Sequence, residues 1–474
     1  MARHILSIVM FLLSAQLAAQ VITVSNEISL RAEYVYDILG QIDEQVILIR
    51  DGINEFDLQA FDQNLRQTWE REEKLDSRKA RIIDIIERRN DFKIVYSDEV
   101  KDTLLIKVRT YNGKAQMQRM DTIRTMKRGF IRPKFRFTHS EDDNIFLMTE
   151  LENERMVAAF CYDLEKGELL WESQFEFQDI NFREEYRKTI ITNDGTMYIV
   201  FEKNNLRLRK SEHSLGVFRF DQHRKQFDIL AVPLAEFTTY DAFFKFDNLN
   251  EKLILLGLYS DKNTGNTDGM YHVVVDHNQF ATEPQFNLVG YSEELIADFY
   301  GKYEADRESL SNLDIQDVIL RQDGGILIIA EENKEYERLS YGARRDFYGS
   351  SRFSVDYYYE DIILLAINPD GTAHWQKLLP KRQYSNDDDA VYSSYFLFTN
   401  PSYLRILYND EIRNENTVSE YILNGGGNIT RRSLMSTDNQ KLKLQIKNAV
   451  QIDQDDLIIP SVRGRKLKLV KLSY

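Results

Sequence analysis

The chain has 474 residues, of which 43% are apolar and 29% charged, so it can bury a large core and is not a disordered polypeptide. Its formal charge of −15 disfavours nucleic acid and anionic lipid as general partners. The single cysteine, Cys161, excludes an intrachain disulfide and every metal site that needs several cysteines.

The first 19 residues have the layout of a secretory signal peptide. Arg3 is followed by the nearly uninterrupted apolar run Ile5–Leu13, and alanines cluster just before Gln20. This run has roughly half the length that a membrane-spanning helix needs, and no later run is long enough either. We therefore expect residues 1–19 to be removed, leaving one exported domain, residues 20–474, without a transmembrane span. Its expected location is the periplasm, the exterior or the outer-membrane surface.

Two series of turn-like clusters alternate along the rest of the chain, with short β-rich runs between them. Asn193–Gly195 and Asp323–Gly325 belong to the first series, and Asn112–Gly113 and Asn368–Gly371 to the second. Apart from one insertion, successive members of the second series lie about 50 to 57 residues apart. Each period therefore contains four short strands, as a β-propeller blade does. The pattern predicts an all-β propeller of four-stranded antiparallel blades, with eight blades favoured and seven as the alternative.

The two ends of the repeat predict how the ring closes. The last unit offers only three strands, the final one at Lys466–Ser473, whereas an additional strand, Val21–Leu30, stands alone after the leader. Pairing these two segments would complete the last blade and leave no free strand edge.

The three tryptophans occupy one position of the repeat. Trp69, Trp171 and Trp375 each follow a turn, seven or eight residues after an Asp or Asn. A wide indole suits the wedge between neighbouring blades, where burial of a large ring is worth ~2–3 kcal/mol. We expect these three residues to be structural.

An insertion at about 292–313 interrupts the repeat. Ile296, Phe299, Tyr300 and Tyr303 recur at helical spacing, and acidic residues precede them, where they suit the helix dipole. This predicts one short amphipathic helix whose apolar stripe packs on a blade.

A second insertion, at about 335–360, is rich in tyrosine and arginine. These residue types dominate binding hot spots because they combine contact area with directional hydrogen bonds. The insertion is therefore the candidate binding surface, although it can also be read as an extended strand with a solvated hairpin tip. Its candidate residues are Arg338, Arg344, Arg345, Tyr348, Arg352 and Tyr357.

No catalytic signature is present. The chain has no serine-nucleophile elbow, zinc-protease motif, phosphate loop or convincing dinucleotide fingerprint, so no catalytic residue, cofactor or metal ligand is assigned. The acidic loops Asp261–Gly269 and Asn386–Asp389 can be read as calcium loops or as hairpin tips.

Two resemblances follow from these motifs. The segment Tyr162–Trp171 resembles the tryptophan-docking motif of quinoprotein-like eight-bladed propellers, which include quinone-dependent alcohol dehydrogenases and a non-catalytic lipoprotein of outer-membrane protein assembly. The adjacent cysteine pair of many quinoprotein dehydrogenases cannot exist in a chain with one cysteine. The segments Tyr259–Gly269, Leu313–Gly325 and Tyr357–Gln383 are similar to uncharacterised secreted proteins of bacteria with outer membranes. That resemblance implies export and a propeller-like body, and it implies no activity.

The leading functional hypothesis is a non-enzymatic propeller that binds another envelope or extracellular protein. The alternatives are a module that binds a glycan or peptide, and an enzyme of the quinoprotein-like kind.

Overall fold

The structure is a computed structural model. It describes residues 20–30, 35–52, 55–127, 134–152, 155–205, 213–222, 224–234, 236–261, 265–301, 307–339, 353–410, 412, 417–437 and 441–474.

Within the described residues the strands form eight antiparallel blades arranged in a ring, which confirms the predicted fold and the count of eight. In each blade the first strand lies innermost and the fourth outermost. The strands of blades 1 to 4, in chain order, are β3 (Val35–Ile42), β4 (Gln45–Asp51), β5 (Glu55–Phe61), β6 (Gln67–Lys74); β7 (Arg81–Glu87), β8 (Asp91–Val100), β9 (Thr103–Asn112), β10 (Met117–Lys127); β11 (Lys134–His139), β12 (Ile145–Glu152), β13 (Met156–Asp163), β14 (Glu168–Glu176); β15 (Tyr186–Ile191), β16 (Met197–Lys203), β17 (Ser214–Asp221) and β18 (Gln226–Pro233).

Blades 5 to 8 follow the same plan, and blade 8 takes its outermost strand from the start of the chain. Their strands are β19 (Thr238–Asp247), β20 (Lys252–Ser260), β21 (Gly269–Asp276), β22 (Gln285–Gly290); β23 (Leu313–Leu320), β24 (Ile326–Leu339), β25 (Phe353–Ile367), β26 (Ala373–Leu379), with β27 (Gln383–Asn386) added to β25; β28 (Tyr395–Thr399), β29 (Tyr403–Asn409), β30 (Thr417–Asn424), β31 (Ile429–Ser436); and β32 (Val450–Gln451), β33 (Asp456–Arg463), β34 (Lys466–Ser473) with β1 (Val21–Val24) and β2 (Ile28–Ser29).

The ring closes by pairing of the two chain ends, as predicted. Val21 lies opposite Ser473 in the antiparallel pair β1–β34, and Ile28 of β2 lies opposite Leu467. Between the two short strands, Ser25 donates its backbone N–H to the carbonyl of Leu469 at 2.9 Å. The Ser25 hydroxyl accepts the N–H of Leu469 at 2.9 Å in return. Blade 8 is thereby completed without an unpaired outer edge on β34.

Asp and Asn side chains build many of the tight turns, which explains how the chain folds with only 21 glycines and 7 prolines. The Asp62 carboxylate accepts backbone N–H groups of Asn64 and Arg66 at 2.9 and 2.8 Å. Asn112 and Asp163 cap the corresponding turns of blades 2 and 3 in the same way. A polar side chain at the end of the third strand is thus a repeated folding element.

The two faces of the ring differ in the length of their connections. One face, which we call the turn face, carries the short turns that join first to second and third to fourth strands. The other, the loop face, carries the connections between blades and between second and third strands, and these include the longest ones. Insertions therefore accumulate on the loop face, as is usual for surfaces that carry function.

The predicted helix lies between blades 5 and 6. It spans Glu293–Tyr300 and begins at Ser292, whose side chain accepts the N–H of Leu295 at 3.2 Å. Ile296 is buried in the apolar cluster shared by these two blades, and Phe299 and Tyr300 pack against it, as the predicted stripe requires. Leu295 is buried there as well. Tyr303, the last residue of the predicted stripe, lies outside the described residues. A four-residue helix, Phe182–Glu185, and a single 3₁₀ turn, Ile446–Asn448, have no counterpart in the sequence prediction.

Candidate functional site

The insertion at about 335–360 forms the outer part of a hairpin that continues blade 6. Strands β24 and β25 are 14 and 15 residues long, and their pairing reaches from Ile326 opposite Ile367 to Leu339 opposite Phe353. The short strand β27 pairs with the Asp356–Tyr359 part of β25. We call the resulting three-stranded extension, residues 333–339, 353–359 and 383–386, the arm. The described part of the insertion is therefore an extended strand pair, which is one of the two interpretations of its sequence.

Three tyrosines from the three strands stack on one face of the arm, which we call the outer face. Tyr336 contacts Tyr358 edge-on with ring centroids 5.8 Å apart, and Tyr358 contacts Tyr384 at 4.9 Å. Tyr336 is 54% exposed. Pairs of cross-strand aromatic residues stabilise a sheet and hold each ring in a fixed position. The outer face is therefore a pre-formed aromatic surface.

Arg338 belongs to the same outer face and is anchored there by Asp356. Its Nη2 donates a 2.6 Å hydrogen bond to Asp356 Oδ1, and its Nε pairs with the other carboxylate oxygen. The Tyr384 hydroxyl also donates to Asp356, at 2.7 Å. The Tyr384 hydrogen bond and the ion pair with Arg338 lower the pKa of Asp356, so the carboxylate stays charged and keeps the guanidinium in place.

Tyr357 lies on the opposite face of the arm from Arg338. Register places Asp356 opposite Tyr336 and Tyr357 opposite Glu335, and adjacent residues of a strand point to opposite faces. Tyr357 is 9% exposed, so it is part of the packed side of the arm. The two described candidates therefore do not form one surface. The other four candidates, Arg344, Arg345, Tyr348 and Arg352, lie outside the described residues.

Sequence reasoning missed three members of the outer face. Tyr336 and Tyr358 lie within the insertion, but only the register shows that they share a face with Arg338. Tyr384 belongs to a later segment, and nothing in the linear sequence connects it to the insertion. Alternation along β24, with positions 334, 336 and 338 on one side, was the signal that could have found Tyr336.

The acidic turn Asn386–Asp389 is hydrogen-bonded to the arm. Asp387 accepts the backbone N–H of Val355 at 2.8 Å and the Ser354 hydroxyl at 3.0 Å. Its own N–H bonds to the carbonyl of Val355 at 3.0 Å. In the part of the chain that the structure describes, no group of three or more His, Cys, Asp or Glu residues is arranged to hold a metal ion. Residues 262–264 of the other acidic loop are not among those described.

The three tryptophans lie on outermost strands at equivalent places. Each tryptophan lies opposite a small residue of the third strand, next to a shift in strand register. The small residue in turn lies opposite an aliphatic residue of the second strand. We call these sets rungs: Ile47–Ala60–Trp69, Leu147–Cys161–Trp171 and Leu327–Ala366–Trp375. Trp171 belongs to the apolar cluster between blades 3 and 4 and donates its indole N–H to the carbonyl of Gly195 in blade 4 at 2.8 Å.

A cluster of carboxylates lies on the inner strands of blades 1 and 2. Burial raises the pKa of Glu87 to about 7, and the nearby charges of Asp37 and Asp143 add to the effect. Burial likewise raises the pKa of Asp84. Gly40 sits in a bulge of β3 with a φ of 73°, and a Cβ there would come within 3.1 Å of Glu87 Oε2. The glycine therefore leaves the space in which the Glu87 carboxyl lies.

No protein-family model matches the chain, and no curated protein is similar to it in sequence. Among solved structures, it is similar to the β-propeller domain of the Trilobed protease from Pyrococcus furiosus, with 11% identity, a TM-score of 0.38 and coverage of 85% of this chain and 98% of the other. The WD40 domain of SCAP from fission yeast has 8% identity and a TM-score of 0.40, with coverage of 96% of this chain and 98% of the other. Porphyromonas gingivalis dipeptidyl peptidase 4 has 8% identity and a TM-score of 0.45, with coverage of 91% of this chain and 56% of the other.

These likenesses concern the propeller fold alone. They do not bear on the sequence resemblance to secreted bacterial proteins, which stays a prediction. In the described residues, no helix is both long and apolar enough to cross a bilayer.

Proposed function

We propose that this chain is an exported, non-enzymatic β-propeller that binds another protein of the cell envelope or exterior through the outer face of the arm. The observation that carries this proposal is the exposed ring of Tyr336, held edge-on against Tyr358 beside an anchored Arg338.

Two physical features of the arm favour protein binding. Tyrosine and arginine contribute strongly to interfaces, and the loss of their rotamer freedom on binding weakens association. In the arm, the tyrosine stack and the Asp356 carboxylate already hold these side chains, so little freedom remains to be lost. The Arg338 side chain is nevertheless 60% exposed and keeps donors available to a partner.

Site-specific photo-crosslinking in the producing cells tests the surface. A photoreactive phenylalanine analogue is placed at Tyr336, and separately at Tyr403, which is 40% exposed beside a turn on the turn face. We expect one discrete crosslinked partner from position 336 and none of that size from position 403. Equal labelling from both positions, or none from position 336, would contradict the proposal.

Affinity for the captured partner gives the second test. Tyr336→Ala and Arg338→Ala should each weaken binding about tenfold or more, as expected for hot-spot residues. Tyr403→Ala is the matched control and should bind like the wild type. If the two arm variants keep wild-type affinity, the outer face is not the binding surface.

Export is part of the same proposal and depends on the leader, residues 1–19. The full chain with a carboxyl-terminal tag is expressed in a bacterium with an outer membrane, and the amino terminus of the purified protein is sequenced. Cleavage just before Gln20 supports export. A retained Met1 or Ala2 together with cytoplasmic fractionation would refute it.

A further inference from the structure

Blade 2 departs from the apolar rungs of blades 1, 3 and 6. At the corresponding place, Lys93 pairs with Thr110, and Thr110 pairs with Arg119. An aliphatic side chain, a small residue and an indole are thus replaced by an amine, a hydroxyl and a guanidinium.

Three observations show that this rung is equivalent to the others. Arg119 follows the turn residue Asn112 by seven positions, as Trp69 follows Asp62. The strand pairing shifts in register next to Arg119, as it does next to each tryptophan.

The third observation concerns the neighbouring blade. Arg119 packs against Gly167 in a turn of blade 3, just as Trp375 packs against Gly427 in a turn of blade 7. Both glycines have positive φ, 74° and 78°, and a Cβ on either would collide with the side chain that packs there. Arg119 therefore occupies the tryptophan position of blade 2.

A cleft of about 440 Å³ opens at this rung, between blades 2 and 3 on the turn face. Four cationic side chains line it: Arg88, Arg89, Lys93 and Arg119. Two carboxylates, Asp91 and Glu165, line it as well. On a protein with a formal charge of −15, such a local excess of cations is a specific feature of this site.

Lys93 is buried, and its nearest carboxylate lies at the outer limit of ion-pair distance. It is 4% exposed, and its Nζ lies 3.3 Å from Thr110 Oγ1 and 3.9 Å from Asp91 Oδ2. Burial lowers the pKa of Lys93, and the charges of Arg88 and Arg119 lower it further, against the opposing effect of Asp91. A buried cation destabilises a fold unless an anion compensates it, and the apolar rungs of blades 1, 3 and 6 show that the fold also accommodates an uncharged side chain at this place.

The remaining polar groups indicate what else a ligand would carry. Asp91 Oδ1 is buried and accepts no hydrogen bond from any described residue. Such an oxygen is satisfied by a hydroxyl donor. Arg88 is held only loosely, 3.4 Å from a Glu165 side chain that is 63% exposed, so it can turn to an anion in the cleft.

We propose that this cleft binds a small hydroxylated anion, a sugar acid or sugar phosphate. Its carboxylate or phosphate lies among Lys93, Arg88 and Arg119, and one of its hydroxyl groups donates to Asp91. The site is independent of the arm, because the two lie on opposite faces of the ring and in different blades. Failure of either proposal therefore leaves the other intact.

Isothermal titration calorimetry with the mature protein tests the site. The probes are glucuronate and glucose 6-phosphate, which separate the carboxylate and phosphate forms, with glucose and inorganic phosphate as comparators. We expect one of the two hydroxylated anions to bind at unit stoichiometry. We expect glucose not to bind, and inorganic phosphate to bind at least tenfold more weakly. Absence of binding by both hydroxylated anions at millimolar concentration would overturn the proposal.

Converting the rung of blade 2 to that of blade 6 provides the decisive variant. The triple substitution Lys93→Leu, Thr110→Ala and Arg119→Trp reproduces Leu327–Ala366–Trp375, a rung that this fold already accommodates. It should abolish binding, whereas the single variant Lys93→Met should weaken it about tenfold or more, since hydrogen bonds to charged groups are the strong ones.

Arg124→Leu is the matched control, because Arg124 lies on the same strand β10 towards its other end and the substitution removes the same charge. It should bind like the wild type. Circular dichroism establishes that each variant is folded. If the folded Lys93→Met variant binds as tightly as the wild type, the ligand does not occupy this cleft.

Discussion

The indole N–H of Trp171 donates a 2.8 Å hydrogen bond to the carbonyl of Gly195 in the next blade. Trp375, at the equivalent place in blade 6, has a buried Nε1 that bonds to none of the described residues. Both indoles therefore fill the wedge between two blades, but only Trp171 also forms a hydrogen bond between them.

This difference predicts unequal effects of one substitution. Trp171→Phe should lower the free energy of unfolding more than Trp375→Phe, by about 1–2 kcal/mol, because only the former leaves a carbonyl without its donor. Trp171→Ala should cost about 3–5 kcal/mol, since it also opens a cavity. Urea denaturation followed by circular dichroism measures all three. Equal losses for the two phenylalanine variants would contradict the assignment.

Glu87 predicts a pH dependence of stability. Because its folded pKa of about 7 lies above its ordinary value of 4.5, the folded state holds a proton that the unfolded state releases. Stability from this group is therefore present below pH 4.5 and declines as the pH rises towards 7. Glu87→Gln should raise the free energy of unfolding at pH 8 by about 1–3 kcal/mol and flatten its dependence between pH 5 and 8. The exposed Glu72→Gln variant is the control and should change neither.

A fully buried ion pair lies beneath the arm. Lys381 Nζ is 2.7 Å from Glu331 Oε1, with neither side chain exposed, and Ser394 donates to the other carboxylate oxygen at 2.6 Å. Lys381→Met should destabilise the protein by about 3–5 kcal/mol, because it leaves an uncompensated carboxylate. Adding Glu331→Gln should recover part of this loss. If the double variant is less stable than Lys381→Met, the cost of an unpaired Glu331 is not the cause.

Ring closure can be tested at one hydroxyl. Ser25 Oγ accepts the buried N–H of Leu469 at 2.9 Å. Ser25→Ala should lower the free energy of unfolding by about 1–3 kcal/mol, since the Leu469 N–H then has no partner, whereas Ser25→Thr keeps the acceptor. Hydrogen exchange at Leu469 should accelerate in the alanine variant alone. Unchanged exchange there would show that this contact does not hold the two ends together.

The periodic turns and the unequal chain ends were enough to predict eight blades and their closure, because alternation, turn residues and spacing are local properties. The position of the helix at Glu293–Tyr300 followed in the same way from its apolar stripe. The pairing of Arg338 with Asp356, the separation of Tyr357 from it and the contribution of Tyr384 could not be predicted. They depend on register, and a shift of one residue moves a side chain to the other face.

The rung of blade 2 illustrates the same division most clearly. Lys93, Thr110 and Arg119 lie on three successive strands and resemble ordinary strand residues. Only the pairing of three strands brings them together and aligns them with the three apolar rungs. Turn residues and hydrophobic alternation in the sequence determined the kind of fold. The strand register in the tertiary structure decided which side chains meet, because each of these contacts depends on how strands that are joined only by turns align with one another.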